Sequence, residues 1–274
     1  MSSWRFLPLD PDLQPPAKAQ MAFVVGNTAV SWAVLARGRV QQSGGDDLRE
    51  LRRSLRPDLE KIAEQYGGFE RPSLVASVNP AGLERFLSFL AKTEVPRPLL
   101  AGKDFPISIK MDVEAPEKVG VDRLLGALAA WRQVRGPCIT VDCGTAITVN
   151  AVSKQGVFLG GAILPGLHLM VKSLSRGTAL LPEFLLEDKS WPPVGKNTEA
   201  AMAVGVFYGA AGAIARLVKE ARAVIGRDAP VTITGGGSVR LLHLLPRSGP
   251  RGFRWEPALV PRGLFLAYQA GRKP

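Results

Sequence analysis

The stretch CITVDCGTAITVNAVSKQGVFLGGAI, residues 138–163, decides the fold. It opens as an apolar run and breaks at Asp142-Cys143-Gly144-Thr145. It resumes as a strand-like run, breaks again near Lys154-Gln155-Gly156, and resumes once more. That pattern reads as three strands joined by two tight turns. AFVVGNTAVSWAVLARGRVQQS, residues 22–43, follows the same plan, with turns at Gly26-Asn27-Thr28 and near Arg37-Gly38. Thr28-Ala29-Val30-Ser31 and Thr145-Ala146-Ile147-Thr148 match without a gap. The two stretches read as an internal duplication.

Outward from these units, helix-like and strand-like segments alternate. Leu48, Leu51, Leu55, Leu59 and Ile62 give residues 46–66 a helical period, and residues 81–92 form a second helical stretch. Leu74–Val78 is a short apolar run suited to a buried strand. Val121, Leu124, Leu125 and Leu128 share one helical face. Asn197 or Thr198 caps a long helix, with Glu199 in its first turn where the dipole favours an acid. Gly205, Gly209 and Gly212 in that helix would permit close backbone approach. Val231–Thr234 reads as a strand running into Gly235-Gly236-Gly237, and Gly263–Ala270 as a terminal helix. The class is α/β in two related lobes.

Composition narrows the function. At 274 residues and 46% hydrophobic, the chain can build one large core or two modest ones. The longest uncharged stretch, Ala200–Ala215, falls short of the roughly 20 residues of a membrane span and reads as a buried helix. MSSWRFLPLDPDLQPPAKAQ, residues 1–20, lacks the apolar core of an export signal and reads as a mobile extension. Met21 is an alternative start, and the expected compartment is the cytoplasm. Two cysteines, Cys138 and Cys143, make neither a disulfide framework nor a zinc signature. The net charge of +11 comes from basic residues mixed with acids, as in Arg49, Arg52, Arg53 and Arg56 beside Asp46, Asp47 and Glu50. No aromatic-interleaved basic stripe appears, so a basic surface for anionic small substrates is the better reading than nucleic acid.

A strand that ends in a Gly-Asn-Thr or Gly-Thr turn exposes amide N–H groups and a hydroxyl where phosphate oxygens can lie. Two such turns suit one nucleotide held in a cleft between the lobes. A third turn, Thr234-Gly235-Gly236-Gly237-Ser238, suits a flat ligand lying against the backbone. In order along the chain stand GNT at Gly26, PEKVGVDR at Pro116–Arg123, DCGTAIT at Asp142–Thr148, GGAILPG at Gly160–Gly166, GKNT at Gly195–Thr198 and TGGG at Thr234–Gly237. That string resembles the actin-like ATPase and sugar-kinase superfamily, and within it the type III pantothenate kinases, over about residues 22–270. GVDR and GGAILPG set this family apart.

The resemblance implies two ribonuclease-H-like lobes, the first over residues 21–117 and the second over 118–274 with the C-terminal helix. It implies a homodimer that phosphorylates pantothenate with ATP and a divalent cation, Mg2+, at the first step toward coenzyme A. Asp122 matches the family's catalytic base. Gly120, Val121, Asp122, Arg123 and Thr198 match its pantothenate-binding positions. Val24, Val25, Gly26, Asn27, Thr28, Ala29, Val30 and Ser31 cover the first ATP loop. Thr145, Gly235 and Gly236 match further ATP contacts, the last two near the adenosine. Asp142 matches a ligand of a monovalent cation, K+ or NH4+.

The pattern departs in two places. The family's first loop reads Asp-x-Gly-Asn-Thr, and here the acid's position holds Val24. Valine offers no oxygen to a hard cation. Val113 stands where many members have a pocket tyrosine. Two alternatives follow: a catalytically weak homologue with a binding or regulatory role, or another small-molecule kinase of the superfamily.

Overall fold

A computed structural model describes residues 19–36, 39–69, 72–187, 191–245 and 252–271. The expected extension at 1–20 lies outside them except for Ala19, which bridges to Phe69, and Gln20, which begins the first strand. The chain runs β1 (Gln20–Val25), β2 (Ala29–Ala36), β3 (Arg39–Asp47), α1 (Leu51–Tyr66), β4 (Leu74–Ser77), α2 (Pro80–Leu90), β5 (Leu99–Leu100) and β6 (Lys110–Met111). It continues as α3 (Val121–Val134), β7 (Cys138–Cys143), β8 (Ala146–Val152), β9 (Val157–Pro165), α4 (Leu167–Gly177) and α5 (Thr198–Ile225). It closes with β10 (Val231–Thr234), α6 (Ser238–Leu241), β11 (Phe253–Trp255) and α7 (Leu259–Gly271).

The duplication is visible in the sheets. The first has the order β3-β2-β1-β4-β5, and the second β11-β10-β7-β8-β9-β6. In each, three antiparallel strands are followed by two that lie parallel to the first strand of the unit. Alternation along each strand sends successive side chains to opposite faces.

The first sheet is apolar on both faces. Phe23, Val25, Val30 and Trp32 face the amphipathic stripes of α1 and α2, including Leu55, Leu59 and Phe86. The Phe23 and Phe86 rings are 5.0 Å apart. Ala22, Val24, Leu74 and Ala76 face Leu125 and Leu128 of α3 and Val260, Leu264 and Phe265 of α7. One compact unit therefore takes the chain to Lys110, adds Glu114–Arg132 and returns with the segment from Pro257. The other takes Met111–Val113 and Gln133–Glu256. A division in chain order at 117/118 misplaces α3 and α7. Their apolar stripes complete the first sheet's second face, and a stripe alone does not say which sheet it will cover.

In the second unit, Ile139, Val141, Cys143, Ile147, Val149, Val231 and Ile233 face α4, α5 and α6. The opposite face carries Thr140, Asn150, Thr232 and Thr234, all buried. Asn150 Nδ2 donates to Thr140 Oγ1 at 3.2 Å and to Thr148 Oγ1 at 3.3 Å, which gives the buried amide partners on that face.

Three smaller expectations change. The helix expected from residue 46 begins at Leu51, because Asp46 and Asp47 extend β3 and Trp32 Nε1 donates to Asp46 Oδ2 at 2.8 Å. The terminal helix begins at Leu259 rather than Gly263. Gly205, Gly209 and Gly212 meet open space among the described residues, so the close approach they permit is not used there. They lie on the outer face of α5, which buries only one side, including Met202, Val206, Phe207 and Ile214. Helix α5 is long and apolar enough to cross a membrane by length and composition, the one such helix among the described residues, but that buried side belongs to the second unit's core.

Candidate active site

In the first unit, β1 delivers Gly26 to a tight turn. The Gly26 amide donates to Ala29 O at 2.9 Å, and the Leu48 amide donates to Thr28 O at 3.0 Å. Asn27, Thr28 and Ala29 are exposed, Gly26 and Ser31 are half-buried, and Val24, Val25 and Val30 are buried. Only the exposed residues and the Gly26 backbone are available to a ligand. Asn79, absent from the expected site, steadies this turn. Its Oδ1 accepts from the Gly82 amide at 2.9 Å as the cap of α2, and its Nδ2 donates to Gly26 O at 3.4 Å. The Asn79-Pro80 pair at a helix start was the signal that could have found it.

The GVDR segment belongs to the same unit. A 3-10 turn at Pro116–Lys118 leads through extended Val119 to Gly120, and α3 begins at Val121. A Cβ on Gly120 would come within 2.6 Å of Asp122 Oδ1, so a side chain there would displace the carboxylate from this position. Asp122 Oδ1 accepts from the Arg123 amide at 2.8 Å. Burial pushes the Asp122 carboxyl above its ordinary value of 3.8, and the Arg123 amide and guanidinium pull it partly back. Burial in turn lowers the Arg123 guanidinium, against the pull of Asp122. A carboxylate that gains protons more readily than usual, at a helix start where anions are favoured, is suited to general-base work.

In the second unit, three segments are laced around the second turn. The Gly144 amide donates to Ala146 O at 3.0 Å, the Gly166 amide to Thr145 O at 2.9 Å, and the Gly237 amide to Cys143 O at 2.8 Å. Gly235 has φ +87, and a Cβ there would run into Asp142 Oδ1 and the Cys143 amide nitrogen. The glycine turn after β10 thus lies directly on Asp142. Gly144, Thr145 and Gly236 are exposed, while Asp142 and Gly235 are half-buried. Burial pushes the Cys138 thiol up to about 12 and the Cys143 thiol higher still, so neither is a nucleophile.

Thr198 opens α5. The cap is Asn197, whose Oδ1 accepts from the Ala200 amide at 2.8 Å, so the Thr198 hydroxyl is not needed for capping. It lies in an open groove with Leu174, Leu181, Lys196, Asn197 and Met202. Val113 lies against Gly160, at the paired edge of β9. A larger cavity of about 750 Å³ is lined by Leu59, Phe69 and Val95. It sits at the start of β1, the opposite end from Gly26, and holds none of the residues above.

The positions of a divalent cation can be tested against these side chains. Val24 is 5% exposed and packed among Ala22, Leu35, Ala76 and Leu125. Among the described residues no group of three His, Cys, Asp or Glu side chains comes together. The first turn therefore does not fit a divalent cation of its own.

The comparisons with known proteins decide the family. The type III pantothenate kinase family model matches residues 21–220. The chain belongs to the type III pantothenate kinase family. Its members phosphorylate pantothenate in coenzyme A biosynthesis. A type III pantothenate kinase of Synechococcus elongatus is 32% identical, with 92% of this chain and 97% of that protein covered. One of Rhodopirellula baltica is 44% identical over 146 residues, about half (51%) of each chain. The activator of 2-hydroxyisocaproyl-CoA dehydratase from Clostridium difficile, solved with bound ADPNP, superposes with a TM-score of 0.53 at 13% identity. It covers 93% of this chain and 96% of that one. The likeness shows the fold, the two-lobed actin-like ATPase and sugar-kinase architecture.

Proposed function

We propose that this chain transfers the γ-phosphoryl group of ATP to the primary hydroxyl of pantothenate, with Asp122 as the base. The observation that carries the assignment is the Asp122 carboxyl, which stands against Gly120 at the start of α3 with its proton affinity raised by burial. As the hydroxyl oxygen bonds to phosphorus, the bond from phosphorus to the β–γ bridging oxygen breaks and ADP leaves. The hydroxyl proton passes to Asp122 and then to water. Positioning and charge stabilisation provide most of the rate in such reactions. Arg123 offers a guanidinium to the substrate's anionic or carbonyl oxygens, Thr198 offers a hydroxyl, and Gly120 and Val121 shape the approach. The exposed residues Asn27, Thr28 and Ala29 of the first turn and Thr145 of the second take phosphate oxygens, and Gly235 and Gly236 lie near the adenosine.

ATP arrives with its divalent cation as part of the substrate. Asp142 would hold a monovalent cation, K+ or NH4+, whose charge would offset the carboxylate beside the phosphates. Leu180, Leu185 and Val194 are 91%, 81% and 75% exposed in the stretch that leads to Thr198, and they support a homodimer that covers them. The enzyme works in the cytoplasm, where its substrates are made. Buried Val24 favours a second reading, in which turnover is slow because metal–ATP handling is incomplete.

The test is an assay with ATP and pantothenate, with and without magnesium and potassium. Asp122→Asn lowers kcat by about 10²- to 10⁴-fold with the fold intact. The acid limb of the wild-type profile is displaced upward from that of an ordinary aspartate, because the base must be ionised and its pKa is raised by burial. The same shift favours the protonated fold, so Asp122 contributes stability at low pH that is lost as pH rises through its folded pKa. Wild-type turnover in Asp122→Asn would remove the base assignment.

A further inference from the structure

The cavity at the start of β1 has no part in the function above. Its apolar lining is Leu59, Ala63, Phe69 and Val95. Leu59 and Ala63 lie one turn apart on α1, so the cavity runs beside that helix. Leu59 and Val95 belong to the buried cluster between the first sheet and its helices, and Phe69 packs on it. Acids outnumber bases among the charged lining residues, Glu60, Glu64 and Glu94 against Arg56 and Lys92. Arg56 Nε meets Glu60 Oε1 at 3.2 Å. The exposed carboxylates of Glu64 and Glu94 have no partner among the described residues.

The chain itself arrives at this place. Ala19 is fully buried, belongs to the same cluster as Leu59 and Val95, and bridges to Phe69. Residues 1–18 are therefore attached beside the cavity. Their sequence has two parts. MSSWRFLPL, residues 1–9, carries Trp4, Phe6, Leu7 and Leu9, one base at Arg5, and no acid. DPDLQPPAK, residues 10–18, carries three prolines and no aromatic residue, the composition of a spacer. Nine residues reach up to about 30 Å. The α1 lining from Arg56 to Gly67 spans only about 16 Å.

We propose that residues 4–9 of the same chain occupy this cavity, with Trp4 and Phe6 on the apolar lining and Arg5 against Glu64 and Glu94. An extended segment sends Trp4 and Phe6 one way and Arg5 the other. That alternation suits buried hydrocarbon below exposed carboxylates. The segment supplies the cation that the acids lack and the aromatic surface that the lining can bury. A nine-residue tether gives an effective concentration of about 1 mM, so a segment with a Kd of about 100 μM when free is docked about nine-tenths of the time. The inference stands apart from the kinase reading, because the cavity holds no residue assigned to ATP or pantothenate.

The experiment follows tryptic cleavage after Arg5 in the full chain, read by mass, against a synthetic peptide of residues 1–18. Docking slows the cut about tenfold relative to the peptide, in line with that occupancy. Ala63→Arg fills the apolar lining, and Glu64→Lys with Glu94→Lys repels Arg5. Each restores the peptide's rate. The same substitutions in a chain lacking residues 2–18 leave that parent's urea midpoint unchanged, which separates the cavity from the fold. Where Ala63→Arg lowers that midpoint, the pair at exposed Glu64 and Glu94 decides. A cut in the full chain as fast as in the peptide overturns the inference. So does protection that survives the substitutions, which would put the segment elsewhere. Protection that rises with protein concentration also overturns it, since the occupant would then be a second copy's segment.

Discussion

The two hairpin turns descend from one plan and have diverged in a single decisive respect. Strand register gives their alignment. Val24 lies opposite Ser31 and beside Ala76, and Asp142 lies opposite Thr148 and beside Thr234. Val24 is therefore the structural counterpart of Asp142. The first loop spans four residues between the paired Val25 and Val30, Gly26 to Ala29, and the second spans three between Cys143 and Ile147, Gly144 to Ala146. The environment diverged together with the residue. Around Val24 the face is Ala22, Leu74 and Ala76, apolar and covered by α3 and α7 side chains. Around Asp142 the same face is Thr140, Thr232, Thr234 and Asn150. A carboxylate is kept where hydroxyls and amides surround it and is gone where only hydrocarbon does, as the cost of burying a charge requires.

The comparison breaks most visibly if the acid can be restored. Val24→Asp places a carboxylate in the apolar cluster and costs about 3–5 kcal/mol of stability at neutral pH, seen as a lower urea midpoint. Its folded pKa is raised, so the penalty is absent below the unfolded value and grows as pH rises. A variant as stable as wild type, with faster turnover, would show that position 24 faces a polar site after all. Gly235→Ala tests the second turn. The Cβ meets Asp142 and the positive φ is strained, so stability falls by about 2–3 kcal/mol and the ATP KM rises. Asp142→Asn keeps the shape and removes the charge. It lowers kcat/KM about tenfold, equivalent to about 1.4 kcal/mol, and abolishes the response to potassium, with little change in melting temperature. Asn79→Ala removes the α2 cap and one tie to the first turn, for about 1 kcal/mol in the same urea titration.

Much of this was readable in the residues. The strand–turn–strand units appear in the sequence because glycine and polar turns interrupt β-branched runs, and the strands of both were found where expected, while the turn expected near Arg37-Gly38 lies outside the described residues. A cap at Asn197 or Thr198 was readable with Glu199 in the first turn, and the structure chooses Asn197. What stayed hidden depended on distance along the chain. The gapless match of Thr28–Ser31 with Thr145–Thr148 pairs Val25 with Asp142. The spacing to the turn glycine, Val24-Val25-Gly26 against Asp142-Cys143-Gly144, moves the correspondence to Val24, and strand register agrees. The helical face of Leu125 and Leu128 announced burial but not the sheet that would bury it. The α5 glycines looked like contact points because glycine permits close approach, yet permission does not supply a neighbour.

Helix α7 gives the chain a schedule. The second face of the first sheet is finished by Val260, Leu264 and Phe265, encoded about 160 residues after β5. At about 5–20 residues per second on a ribosome, that face waits some 8–30 seconds for its cover. The first lobe begins early in synthesis and closes at its end, so a stop codon just upstream of residue 257 would deprive the first unit of its last apolar layer, although most of that unit had already been made.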